Sequence, residues 1–438
     1  MDALYGAALR LAWVASIPYQ IVMELFSGRP AARRRERLGR APDFARLPPG
    51  GLWVHAVSFG EVRLAHAVIA ALRARLGSVP VLLTTATDTG RALAERQRRE
   101  GAPGAADAIA APPLDLAGPV GRALDATRPR ALLLVETELW PNLLRLAPAR
   151  GVPVIVVNAR LSPRAFARML KVRSLYAPGL ASIRLVAAQT DADAGRFIAL
   201  GAPAERVRVT GNIKFDLPIP ASDPVPLRRR LAESQDAPIF VAGSTARDEA
   251  EPVARAFARL REARHGAVLV IAPRHPEDLA ATRRVLERAG LRVALWSALP
   301  DAPAPAPAAE AVVVDAMGLL PSLYGCATVA FVGGSLVPRG GQNLLEPAAS
   351  GVPVLFGPWV DTVRFAADAL LASGGGFEVR DAQALAQEVV RLATDAAARA
   401  RAGERARETV QRNRGALPRT IDLVAAALAA SAARGAAG

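Results

Sequence analysis

The chain has 438 residues, 55 basic and 40 acidic, for a formal net charge of +15. That length suits two domains at roughly 100–200 residues each, and 51% hydrophobic content excludes a disordered or collagen-like chain. The lone cysteine, Cys326, excludes a disulfide framework and a cysteine-based metal cluster.

The charge is uneven. Residues 1–220 hold 30 basic and 17 acidic residues, whereas residues 221–438 hold 25 and 23. Arg supplies nearly all of the positive charge, and Lys171 and Lys214 are the only lysines. Codon bias accounts for Arg over Lys but not for the placement in one half. An anionic partner is implied: nucleic acid, a phosphorylated substrate or an acidic membrane surface.

Residues 11–23, LAWVASIPYQIVM, form an apolar run too short for the about 20 residues of a spanning helix. Extension to 4–26 gives the length but includes Arg10 and Glu24, which can snorkel. Trp13 and Tyr19 suit an interface, and Arg29, Arg33, Arg34, Arg35 and Arg37 follow, keeping the rest cytoplasmic. The segment is read as a membrane anchor, spanning or interfacial, against the alternative of a buried amphipathic helix.

From residue 51, short apolar runs alternate with helical periodicity. Strands are expected at 52–57, 79–86, 131–136, 152–159 and 183–189, then at 238–244, 267–273, 291–297, 311–316, 327–334 and 352–357. Such runs fit buried parallel strands with crossover helices. The Pro-rich stretch 216–226 reads as an interdomain linker, and 382–430 as Ala-rich helix. The expected architecture is two sequential doubly wound α/β domains with ligands at the carboxyl ends of the strands, and the cleft between domains as the default site.

Several strand ends carry chemistry. His55-Ala-Val-Ser58-Phe-Gly60-Glu61 leads into a helix, so Glu61 is either a first-turn acid favoured by the helix dipole or a general base. Glu136-Thr-Glu138 could position a polar substrate or merely turn into a Pro-initiated helix. Arg160 is an anion contact or a surface Arg, and Lys214 offers a compact ammonium where a guanidinium would not fit. In the second half, Gly243-Ser244-Thr245 allows close approach to a phosphate, and Arg274 could meet a phosphate or stack on a base.

The densest signal is the run from Gly333-Gly334 through Gly340-Gly341 to Asn343 and Glu346. It predicts a loop of phosphate-binding N–H groups, a helix opened by Gly340-Gly341, and Glu346 one turn in, accepting from ribose hydroxyls. Asp191-Ala-Asp193 resembles a D-x-D metal clamp but follows Gln-Thr as an N-cap would. Neither a metal nor another cofactor is implied.

Taken jointly, HAVSFGE (55–61), ETELWPN (136–142), NARLS (158–162), GNIKFD (211–216), AGST (242–245), PRHPE (273–277), DAMG (315–318) and GGSLVPRGGQNLLEPAASGVPVLFGP (333–358) resemble the 3-deoxy-D-manno-octulosonic acid (Kdo) transferase family. The resemblance implies a GT-B glycosyltransferase: two Rossmann-like doubly wound domains facing a central cleft, with an N-terminal membrane-anchor helix. The corresponding domains are 1–40 (anchor and basic segment), 41–215 (acceptor), 216–236 (linker) and 237–425 (donor, with the C-terminal helices). It implies inverting, metal-independent transfer of Kdo from CMP-Kdo to the lipid A precursor at the cytoplasmic face of the inner membrane.

In that likeness Glu61 matches the general base. Arg274, Met317, Gly318, Gly341, Asn343 and Glu346 match positions that hold CMP, with Ser244 and Thr245 on the phosphate side. Ser58, Gly60, Glu136, Arg160 and Lys214 line the acceptor side and cleft. Many members carry His where this chain has Gln342, which cannot act as an acid. Two other readings stand beside it: another GT-B enzyme with a UDP-N-acetylhexosamine donor, and a non-enzymatic binder of acidic lipid or nucleic acid. Aromatic content of 5% argues against base stacking and so against single-strand nucleic-acid binding.

Overall fold

The computed structural model describes residues 5–7, 11, 32–48, 50–219, 223–232, 234, 236–299 and 309–435. Apart from Leu11, the expected anchor 11–23 lies outside them. Among the described residues no helix is long and apolar enough to cross a membrane.

The chain divides into two units, residues 1–217 with 414–438 and residues 218–413. The first is built on β1 (Leu52–His55), β2 (Val81–Thr84), β3 (Ala108–Ala110), β4 (Ala131–Val135), β5 (Val154–Ala159), β6 (Leu185–Ala188) and β7 (Val207–Val209). All pairings are parallel, in the order β3-β2-β1-β4-β5-β6-β7. Successive residues alternate between two cores. Trp53, Leu132, Leu134 and Val156 pack on one face. Leu52, Val54, Leu133 and Ile155 pack on the other. Both faces are covered, which is why the strands read as continuous apolar runs.

The second unit holds β8 (Ile239–Thr245), β9 (Val268–Pro273), β10 (Val293–Leu295), β11 (Ala311–Val313), β12 (Val329–Val332), β13 (Val354–Phe356) and β14 (Gly376–Glu378). Their order is β10-β11-β9-β8-β12-β13-β14, again parallel. Each sheet reverses its winding once, between β1 and β4 and between β8 and β12. A crevice opens at the carboxyl ends of such a pair.

Three boundaries differ from the sequence-based division. Residues 32–40 belong to the first unit: buried Glu36 accepts from Arg91 Nη1 and the Ala111 N–H at 2.7 and 2.6 Å. The stretch expected as linker to 236 contains the helix Pro224–Leu231, capped by Asp223, whose Arg228 donates to the Cys326 and Ala237 carbonyls of the second unit. The last helix, Ala416–Gly435, belongs to the first unit, not the second. Its Ile421, Val424 and Leu428 join the core of Leu64 and Val68, and Asp216 accepts from the Gly415 and Leu417 N–H groups. Helical periodicity reports an apolar stripe but not which sheet it covers.

Candidate active site

In the first unit, β1 runs out at His55 and Ser58 caps the helix Phe59–Leu76. Its Oγ accepts from the Glu61 N–H at 3.4 Å and donates to Glu61 Oε1 at 2.9 Å. Glu61 Oε2 accepts from the Val57 N–H at 2.7 Å. The carboxylate is thus held facing back over the strand end, a variant of the reciprocal capping box. Burial raises the Glu61 pKa above its ordinary value against these hydrogen bonds, and the charge of Glu136 adds to the rise. Gly60 is exposed, and an added Cβ there would meet nothing within 4 Å.

The neighbouring strand β4 stops at Val135 because Glu136 takes φ +62°. The extended geometry therefore does not continue through Glu136-Thr-Glu138; the turn instead sets both acids within electrostatic reach of Glu61. Lys214 Nζ lies 2.7 Å from Glu136 Oε1. Asn158, itself at φ +53°, joins the two: its Nδ2 donates to Glu136 Oε1 at 3.3 Å and its Oδ1 accepts from the Ile213 N–H at 2.9 Å. Asn tolerates the left-handed region. Arg160 follows β5, with its carbonyl accepting from Thr137 Oγ1 at 2.6 Å.

Glu138 accepts from Trp140 Nε1 at 2.8 Å, and His55 Nε2 lies 4.0 Å away. Burial, then the charge of Glu61, pushes Glu138 up to about 7. His55 is fully buried, which brings it down to about 3 and keeps it neutral. The Trp53 indole donates to Thr84 Oγ1, and His55 Nδ1 lies 2.9 Å from the same hydroxyl. His55 Nε2 is buried without a hydrogen-bond partner among the described residues. Neither His55 nor Glu138 was among the expected site residues, although both stand in the quoted motifs.

In the second unit, Ser244 adopts φ +54° at the end of β8, and Thr245 Oγ1 is buried without a hydrogen-bond partner. Three of the four non-glycine residues with positive φ among the described residues, Glu136, Asn158 and Ser244, sit at strand ends of the candidate sites. The exposed Arg274 follows β9 and donates its backbone N–H to the Thr245 carbonyl at 2.9 Å. Met317 is 94% exposed beside Gly318 at φ +84°, an apolar side chain that its own unit leaves uncovered.

The Gly-rich run departs from expectation. The helix opens at Leu345, not at Gly340-Gly341, and spans only Leu345–Ala349. The Gly341 N–H donates to the Gly334 carbonyl at 2.8 Å, and a Cβ on Gly341 would come within 3.2 Å of Val360 Cα. The N–H groups of Gly334, Ser335 and Leu336 point to the carboxylate of Glu249, at 2.7, 3.0 and 2.8 Å. These amides are engaged by the protein itself and are not open phosphate donors. Glu346 stands in the first turn, where its Oε1 accepts from Asn343 Nδ2 at 2.9 Å, while Asn343 Oδ1 takes the Leu345 N–H at 3.0 Å. Gln342 is half-buried beside this turn.

The Asp191/Asp193 pair is a helix start. Thr190 caps the helix Asp191–Leu200, and Asp193 accepts from Thr190 Oγ1 at 2.6 Å and the Leu161 N–H at 2.9 Å.

A family model described as 3-deoxy-D-manno-octulosonic-acid transferase (kdotransferase) matches residues 32–217. The 3-deoxy-D-manno-octulosonic acid transferase of Bordetella pertussis is 35% identical over 390 residues, covering 88% of this chain and 90% of the relative. That of Haemophilus influenzae is 33% identical over 410 residues, covering 92% and 93%. Among solved structures, a glycosyltransferase from Rickettsia africae superposes with a TM-score of 0.57 at 13% identity, over 86% of this chain and 99% of that one. The Anabaena protein HepE in complex with UDP gives 0.55 at 14%, over 87% and 100%. Its two parallel-sheet domains have the GT-B glycosyltransferase fold, and the chain belongs to the 3-deoxy-D-manno-octulosonic acid (Kdo) transferase family.

Proposed function

We propose that this enzyme transfers Kdo from CMP-Kdo to the lipid A precursor (lipid IVA), in lipopolysaccharide biosynthesis, at the cytoplasmic face of the inner membrane. The observation that carries the reading is the grip on Glu61: a carboxylate at the winding reversal of the first sheet, fixed by the Val57 N–H and Ser58 hydroxyl, with its pKa raised. A weakly acidic sugar hydroxyl needs a positioned base, and a raised pKa strengthens one.

In this mechanism Glu61 takes the proton of the acceptor hydroxyl as its oxygen bonds to the anomeric carbon of Kdo. The bond from that carbon to the phosphate oxygen breaks, its electron pair leaves with CMP, and the centre inverts. Lys214 neutralises Glu136, so the acid cluster does not forbid ionisation of Glu61. The second unit holds the donor, with Arg274 and the Thr245 hydroxyl toward the phosphate, and Met317, Gly318, Asn343 and Glu346 toward the nucleoside. The only D-x-D pair is occupied as a helix cap, which supports a metal-independent route. The acceptor is an anionic lipid, and the first unit carries 33 basic against 18 acidic residues.

The test is incubation with CMP-Kdo and tetraacylated lipid A precursor, with lipid products weighed by mass spectrometry. A Kdo-bearing lipid, formed with inhibition by CMP and not by UDP, is the expected result. No mass increase, or inhibition by UDP alone, would refute the reading.

A further inference from the structure

The amides of the Gly-rich loop are filled from within. Glu249 is fully buried in the turn between β8 and the helix Ala250–Ala263. Its Oε2 accepts from the N–H groups of Ala246 and Gly334, and its Oε1 from those of Ser335 and Leu336, at 2.7–3.0 Å. No Lys or Arg forms an ion pair with it among the described residues. Successive backbone N–H groups converging in this way make an anion-binding nest, and here the anion is a side chain.

The fit is close. A Cβ on Gly333 would lie 2.5 Å from Thr245 Cα and 2.6 Å from Glu249 Oε2. Ser335 Oγ donates to the Val332 carbonyl at 2.5 Å and accepts from the Gly357 N–H at 2.9 Å, so the ends of β8, β12 and β13 meet around one carboxylate. The far side of the loop closes on the same point, through the Gly341 N–H to the Gly334 carbonyl. Asn343 and Glu346 follow directly from that closure.

We propose that Glu249 is a positioning residue for donor binding: its carboxylate is the permanent anion of the loop's nest, and it sets the shape of residues 333–343. The donor phosphate then binds through side-chain donors, among which the Thr245 hydroxyl is buried, unpartnered and adjacent. A second anion in the nest would meet the repulsion of the first. This inference rests on the reading of the second unit as the CMP-Kdo site.

The test uses the full chain with Glu249→Ala and Glu249→Gln, measuring CMP affinity by calorimetry and the kcat and KM for CMP-Kdo, each with excess sodium formate or sodium chloride at equal ionic strength. The Ala variant is expected to lose CMP affinity by about tenfold or more, with the loss mainly in KM. Formate, which restores a carboxylate to the vacated nest, should recover it, and chloride should not. The Gln variant should lose affinity without formate recovery, because its amide fills the space and presents N–H to N–H. Affinity within about twofold of wild type in either variant would overturn the proposal, as would a folded Ala variant whose loss formate does not reverse. If the Ala variant does not fold, the Gln variant alone decides, with wild-type CMP affinity as the refuting result. Failure of the wild-type protein to bind CMP would refute the nucleotide site itself, a distinct outcome.

Discussion

Glu61 with its neighbours in the first unit and Glu249 in the second are acids at the carboxyl end of a parallel sheet, held in opposite ways. Glu61, Glu136 and Glu138 share one region with one lysine paired among them, and burial and mutual charge raise Glu61 and Glu138. Glu249 lies deeper, and its carboxylate accepts from four backbone N–H groups. The first arrangement keeps protons exchangeable near neutral pH; the second fixes a loop. Net charge divides the same way: the first unit holds 33 basic and 18 acidic residues, a net of +15, and the second 22 and 22, a net of zero. The acid cluster sits within the cationic half, whose long-range field favours an anionic lipid.

The largest break in this contrast is Glu61→Gln. It should lower kcat by about a thousandfold while CMP affinity, which the proposal assigns to the other unit, stays unchanged. Turnover within about tenfold of wild type would remove Glu61 from its role. Next is Lys214→Met, which leaves Glu136 uncompensated beside Glu61. The expected effect is a fall of about tenfold in kcat/KM at neutral pH, with the acid limb of the rate profile moved to higher pH. An unmoved limb would separate Lys214 from the proton chemistry.

Glu138→Gln gives a smaller effect, on stability. The folded pKa of about 7 lies above the reference 4.5, so the folded state keeps a proton that the unfolded chain releases. Stability therefore falls as pH rises through that window, by up to about 3 kcal/mol above pH 7. The variant escapes this penalty and should be more stable than wild type at pH 8 but not at pH 4, as read from urea midpoints. Equal gains at both values would contradict the assignment. The smallest effect is on membrane attachment: binding of the full chain to anionic vesicles should weaken several-fold between low and moderate salt. Salt-independent binding would mean that the charge surplus does not face lipid.

What the sequence made legible follows from burial. All eleven expected strands exist because two-sided burial writes continuous apolar runs. The strands at Ala108–Ala110, Val207–Val209 and Gly376–Glu378 went unread, being three residues long and outside any such run. Glu61 and its Ser58 cap were legible as a local pattern. The Glu136–Lys214 pair was not, because it spans 78 positions and is made by an Asn158 side chain with an uncommon backbone conformation. Glu249 was invisible for the same reason: three of its four partners lie 85 to 87 residues away. The Gly-rich loop announced a nest, but composition could not say whether substrate or protein fills it.

The most direct test of the account is the pH dependence of kcat/KM for Kdo transfer by the wild-type enzyme from CMP-Kdo to the lipid A precursor. The rate should fall on acidification with a limb above the ordinary carboxylate range, because burial and Glu136 raise the group that must be ionised, and the residual rate of Glu61→Gln should lack that limb. A limb that survives in Glu61→Gln, or none in the wild type, would contradict a general base at the end of β1.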